Sequence, residues 1–174
     1  QVTPSPRWEN QWTAEHAAGL IATGERERQT LLRDYPRVKD IQTLRLGCEV
    51  SDFSDNGSLF VKESGIKDFI LCVGRLETRK NQLMLLKALE ESPLTVVFAT
   101  GGFTYQPEYE ALCRKFKRVG QTHFLGRLSS EMLASAYAAA KVHALPSWYE
   151  LPGMVSMEAA RRGVNVVVSD RGTA

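Results

Sequence analysis

From Phe69 to Val168 the sequence repeats one pattern: a short apolar run, a glycine or proline, a polar loop, then an amphipathic helix. Phe69-Ile70-Leu71-Cys72-Val73 is continuously apolar and ends at Gly74, as expected of a strand buried on both faces. Asn81 to Glu91 follows as a leucine-rich helix closed by Pro93, and Leu94 to Ala99 is the next strand, stopped by Gly101-Gly102. Tyr109, Leu112, Cys113, Phe116 and Val119 fall at helical spacing before Gly120. Thr122–Leu125 is a strand ending at Gly126, and Ser129 is placed to cap a helix carrying Met132, Leu133, Ala136, Tyr137 and Ala140. Val142–Leu145 is a strand broken by Pro146, residues 154–162 are helical, and Val164–Val168 is a last strand. Such βαβ alternation with short connections predicts an α/β fold, a parallel sheet flanked by helices on both faces.

In an open sheet of this kind ligands bind beyond the carboxyl ends of the strands. The polar clusters all follow strand ends: Gly74-Arg75, Gly101-Gly102, Gly126-Arg127, Ser147 to Glu150, and Ser169-Asp170. They are expected to share one rim. The first 68 residues differ. Gly19–Ala22 and Ile41–Leu46 read as strands around a charged helix from Glu25 to Tyr35, and the turn-rich D-F-S-D-N-G-S of residues 52–58 reads as a linker or loop.

Composition excludes several classes. At 43% hydrophobic and 24% charged, with no apolar run long enough to span a membrane, the 174 residues read as a soluble globular chain. A net charge of +2 gives no argument for nucleic acid, and the basic cluster Arg114, Lys115, Lys117, Arg118 reads as the solvated face of a helix. Cys48, Cys72 and Cys113 are too scattered for a disulfide framework or a zinc site, which makes a reducing, cytoplasmic setting the default.

Neither G-x-G-x-x-G after a strand nor G-x-x-x-x-G-K-[ST] occurs. Instead Arg75 and Lys80 flank the loop Gly74-Arg75-Leu76-Glu77-Thr78-Arg79-Lys80-Asn81. A forked guanidinium and a compact ammonium suit a diphosphate, and the same loop also reads as a solvated basic turn. A second motif is Y-E-L-P-G-M-V-S-M-E at 149–158. A helix starting near Gly153 would present the amides of residues 153–156 as an anion site, with Glu150 in the loop before it and Glu158 leaning back from inside it. Read alone, the two carboxylates fit either one shared ligand or a solvated loop acid beside an ordinary helix acid.

G-R-L-x-x-x-K-N after a strand, F-L-G-R midway, and P-S-x-x-E-x-x-G-M-V-x-x-E-A-x-x-x-G-x-x-V-V-x-S near the end resemble the retaining GT-B glycosyltransferases of the group 1 type, over roughly residues 69–172. I-A-T-G-E-R-E-R-Q-T-L-L and L-R-L-G-C-E-V resemble the end of that family's N-terminal domain, with Gly24 where a serine is common. The resemblance implies the Rossmann-like, donor-binding half of a GT-B fold, truncated at both ends. Residues 1–50 would be a remnant of the N-terminal domain, 51–68 an interdomain linker and 69–174 an incomplete nucleotide-sugar-binding domain. It further implies that Arg75, Lys80 and Glu150 are catalytic, with Arg75 and Lys80 on the donor diphosphate and Glu150 on the transferred sugar. Gly74 would belong to the donor site, Glu158 would hold the ribose, Gly153, Met154 and Val155 would offer amides, and Gly126, Arg127 and Leu128 would lie at the base.

The implied donor is a UDP-, GDP- or ADP-linked sugar, and the implied acceptor a glycan or lipid-linked molecule bound through the other domain. No metal or other cofactor is implied, and no nucleic acid; peripheral membrane association at the cytoplasmic face fits the parent enzyme. Arg161-Arg162-Gly163-Val164-Asn165 departs from the small residues and proline usual before the last strand. Two other functions stand beside this one: a non-catalytic nucleotide-sugar-binding module, and a GT-B-fold nucleotide-sugar epimerase, against which the Glu150/Glu158 spacing and the Arg75/Lys80 pair argue.

Overall fold

A computed structural model describes residues 7–38, 40–48, 54–102, 104–150 and 152–170, the side chains of residues 7–9 excepted. Residues 49–53, which include the start of the expected linker at 51, and residues 171–174 lie outside the described residues. The chain divides into two compact units, the first ending at Gly47.

In the first unit, α1 (Arg7–His16) precedes β1 (Leu20–Ala22), α2 (Glu25–Asp34) and β2 (Ile41–Thr43). The two strands pair in parallel, Leu20 opposite Ile41. Glu27 fixes the start of α2, its carboxylate accepting from the Thr23 amide at 2.6 Å and hydroxyl at 2.8 Å. Helix α1 was not expected from the sequence, and β2 is shorter than the predicted 41–46.

The second unit holds α3 (Ser58–Ser64), β3 (Phe69–Val73), α4 (Gln82–Ala88), β4 (Thr95–Ala99), α5 (Pro107–Lys115), β5 (Thr122–Leu125), α6 (Ser130–Ala139), β6 (Val142–Leu145), α7 (Met154–Arg161) and β7 (Asn165–Val168). Its five strands form one parallel sheet in the order β5-β4-β3-β6-β7. Successive residues of β3 and β4 point to opposite faces. Phe69, Leu71, Val73, Val97 and Ala99 pack with Phe60 of α3, Ala136 and Tyr137 of α6 and Ala159 of α7. Cys72, Val96 and Phe98 pack with Leu86 of α4 and Tyr109 and Cys113 of α5. Helices therefore cover both faces, as the continuous apolar strands require.

Helix α3 lies within the stretch expected to be a linker. Its anchor is Phe60, 1% exposed, whose burial contributes about 1.5–3 kcal/mol. Gly57 precedes the helix with φ 93°, and a Cβ there would stand 2.6 Å from the Ala139 backbone, so only glycine admits this approach of α3 to α6. Asp55 accepts from the Gly57 amide at 3.1 Å and the Leu59 amide at 3.3 Å and is bonded to Ser135, whose hydroxyl accepts from the Phe60 amide at 2.8 Å. The Ser135 and Ser58 hydroxyls hold the Asp55 carboxyl at about 2. The predicted Ser129 cap is present, accepting from the Met132 amide at 3.2 Å.

The basic cluster near residue 116 is not a single solvated helix face. Helix α5 ends at Lys115 and Phe116 is extended, so Arg118 turns inward. Its guanidinium donates to the carbonyls of Leu89, Ser92, Leu94 and Gln121 at 2.8–3.2 Å.

Candidate functional site

The strand order places the switch of direction between β3 and β6: β4 and β5 lie to one side of β3, β6 and β7 to the other. The segments that follow β3 and β6 therefore leave neighbouring strand ends in opposite directions, and a crevice opens between them. Two hollows lie along this rim. One, of about 280 Å³, is lined by Gly74, Arg75, Thr100, Gly101, Gly126, Arg127, Leu128 and Leu133. The other, of about 370 Å³, is mostly apolar and includes Met84, Pro146, Trp148, Val167 and Ser169. Three of the five expected polar clusters thus meet in the first hollow; residues of the other two border the second.

Between them stands a charged cluster built from the loops after β3 and β6. Lys80 Nζ donates to Glu150 Oε1 at 2.7 Å, and Arg79 Nη1 lies 3.3 Å from the same oxygen. The Glu150 side chain is 5% exposed and that of Lys80 12%. Burial alone would raise the Glu150 pKa, but the Lys80 and Ser147 hydrogen bonds and the Arg79 charge outweigh it, and its carboxyl titrates below the usual range. Gly74, at φ 142°, lies between the hollow and the Lys80 stem: a Cβ there would reach 3.4 Å from Lys80 Cε.

The backbone around this cluster is fixed at several points. Arg79 Nη1 donates to the Tyr149 carbonyl at 2.9 Å, the Trp148 amide to the Arg79 carbonyl at 2.8 Å, and Asn81 Nδ2 to the Pro146 carbonyl at 3.2 Å. Asn81 holds φ 57°, a left-handed conformation that asparagine tolerates. Gln82, fully buried, donates to the Arg75 carbonyl at 2.7 Å. Lys80 has three N–H donors and gives one to Glu150, so an oxyanion beside it can still be met.

Glu158 is held by a different partner. The Tyr137 hydroxyl on α6 donates to Glu158 Oε2 at 3.0 Å. Burial, then the neighbouring Glu158 charge, raises the Tyr137 pKa, so the phenol remains the donor. Tyr137 also meets His143 edge-on at 5.8 Å. His143 is fully buried on β6, its titration pushed down to about 4 chiefly by that burial, and its Nε2 lies 3.4 Å from the Ser156 hydroxyl of α7.

The amides expected to be open at the start of α7 are partly used. The Met154 amide donates to the Pro152 carbonyl at 3.0 Å and the Ser156 amide to the Gly153 carbonyl at 2.9 Å, because the first turn is tight. The anion-facing set at residues 153–156 is accordingly smaller than a regular helix start would give. In the sequence Arg79 stands in the quoted loop without an assigned role, Tyr137 reads only as part of the α6 face, and Tyr105 belongs to no motif. Among the described residues no cluster of three or more His, Cys, Asp or Glu side chains is placed to hold a metal ion, and no helix is long and apolar enough to cross a membrane.

A doubly wound open sheet with a cation-lined crevice at its switch point defines a Rossmann-like domain. Residues 60–174 match the family described as glycosyl transferases group 1, and the chain belongs to that family. It is 28% identical to D-inositol 3-phosphate glycosyltransferase of Corynebacterium kroppenstedtii, over 93% of this chain and 40% of the relative. Its fold resembles sucrose-phosphate synthase from Thermosynechococcus elongatus, with TM-score 0.76 and 24% identity over 95% of this chain and 44% of that one. It also resembles Anabaena HepE in complex with UDP and glucose, with TM-score 0.80 and 19% identity over 92% and 46%. At these identities the two structural likenesses concern the fold, that of the GT-B enzymes. The chain spans less than half the length of each of these three proteins.

Proposed function

We propose that this chain is the donor-binding part of a glycosyltransferase that moves a sugar from a nucleoside diphosphate to a glycan or lipid-linked acceptor with retention of configuration. The observation that carries the reading is the cluster at the switch point, where Lys80 and Arg79 hold Glu150 beside a hollow lined by Arg75. In this reading Arg75 and Lys80 face the diphosphate and stabilise the charge that develops on it as the sugar departs. Glu150 accepts from sugar hydroxyls, and its contact with Lys80 keeps a carboxylate tolerable next to phosphate. Glu158 accepts from the ribose, the backbone at Gly153, Met154 and Val155 faces the sugar and phosphate, and Gly126, Arg127 and Leu128 border the base.

Charge neutralisation by these cations lets the reaction proceed without a metal. Residues 1–50 are read as part of the domain that helps to take the acceptor, and the parent enzyme as working in the cytoplasm or at the cytoplasmic face of a membrane. HepE, whose structure holds UDP and glucose, supports trying UDP first. Titration calorimetry of the chain with UDP, GDP and ADP tests the reading. Saturable binding of one diphosphate, weakened by Arg75→Ala, is expected; no binding of any of the three would overturn it.

A further inference from the structure

The loop after β4 grips the loop after β3. The Thr104 hydroxyl donates to the Leu76 carbonyl at 2.7 Å, and the Thr78 amide donates to Gln106 Oε1 at 2.7 Å. Gln106 is itself tied back, its amide donating to the Thr104 hydroxyl at 3.0 Å. Tyr105 stands between these tethers, and the guanidinium carbon of Arg75 lies 5.2 Å from the centre of its ring. Arg75 reaches the ring by passing Gly101, where a Cβ would stand 3.9 Å from Arg75 Cγ.

A ring stacked on a guanidinium engages its face and leaves the in-plane N–H groups for an oxyanion. The nearby carboxylate does not use those donors either, since Glu77 Oε1 is 3.7 Å from Arg75 Nη2, beyond hydrogen-bond distance. Tyr105 is 70% exposed, so its ring does not serve as core.

We propose that Tyr105 is a positioning residue for Arg75: its ring holds the guanidinium at the mouth of the hollow with its donors available for the second phosphate of a nucleoside diphosphate. The tethers of Thr104 and Gln106 set the ring in place before ligand arrives. This rests on the nucleotide-sugar reading above and adds to it a residue outside the quoted motifs.

Calorimetry of the chain with UDP and with UMP, for wild type, Tyr105→Ala, Tyr105→Phe, Arg75→Ala and the Tyr105→Ala/Arg75→Ala double variant, tests it. Thermal melts confirm that each variant is folded. Wild type is expected to prefer UDP over UMP, and Tyr105→Ala to reduce that preference about two- to fivefold, the size of an exposed cation–π contact. Tyr105→Phe is expected to keep the preference, and Tyr105→Ala to add nothing once Arg75 is gone. Equal losses for UDP and UMP, failure of phenylalanine to rescue, or an undiminished effect in the double variant would each overturn the proposal. With GDP and GMP or ADP and AMP used in the same way where UDP does not bind, wild-type protein that binds none of the three diphosphates overturns the nucleotide-sugar reading and this inference with it. Binding without a preference for UDP overturns this inference alone.

Discussion

The two ends of the five-stranded sheet use arginine in opposite ways. At the amino-terminal end, Arg118 directs its donors to four backbone carbonyls around the starts of β4 and β5, and they serve to close loops. At the carboxyl end, Lys80 and Arg79 pair with side-chain carboxylates and Arg75 meets an aromatic ring beside an open hollow, with one Arg79 bond to the Tyr149 carbonyl. In sequence both are basic residues in short loops next to strands. Which end of a parallel sheet a loop occupies decides the difference, because at the carboxyl ends the connections splay apart at the switch point and leave room for a ligand. Charge satisfied by backbone stabilises a fold, whereas charge balanced by side chains can be rearranged around a substrate.

The sharpest way to break this contrast is Arg118→Ala. Four carbonyls lose a charged donor at once, and a loss of about 3 kcal/mol of folding stability is expected, the upper part of the range for hydrogen bonds to charged groups. Denaturant melts should show it, and Arg118→Lys, with three donors, should recover part. Nucleotide affinity measured well below the melting temperature should not change. A variant as stable as wild type, or one folded but unable to bind UDP, would remove the distinction between the two ends.

Lys80→Ala probes the other end. It is expected to weaken UDP binding by about 2 kcal/mol, roughly thirtyfold in Kd. A stability loss accompanies it, because Glu150 keeps Arg79 at 3.3 Å but loses its contact at 2.7 Å. Calorimetry of the folded variant separates the two effects. Equal Kd values for wild type and Lys80→Ala would mean that this lysine only balances Glu150, which would make the carboxyl end as structural as the amino end.

Most of the second unit was legible because continuous apolar strands and leucine-rich helices alternate with few breaks. What escaped had local causes. Helix α3 has seven residues and follows a run of turn formers, so no helical period develops, and Phe60 is recognised as core only once Gly57 brings it against α6. The misreading of Arg118 came from apolar spacing that continues past Lys115, although the chain turns extended at Phe116. In the candidate site, Arg75, Lys80, Glu150 and Glu158 stand out by their spacing around strand and helix ends. Tyr105 does not, since its partner Arg75 lies on a separate loop and the pair forms only when β3 and β4 lie side by side.

Tyr137 is the other residue of this kind, and it offers the finest test of the contrast. Its hydroxyl reaches Glu158 from a different helix, a contact that neither segment announces. Tyr137→Phe keeps the ring against His143 and removes one hydrogen bond, so about 1 kcal/mol is at stake. If Glu158 holds a ribose, that loss should appear in recognition of the sugar hydroxyls. The wild-type preference for UDP over its 2′,3′-dideoxy analogue should shrink about fivefold, while the affinity for the analogue stays level. If Glu158 is instead a structural acid, the melting temperature falls and the preference is untouched, which places the Tyr137–Glu158 contact with the backbone-bonded arginine at the far end of the sheet.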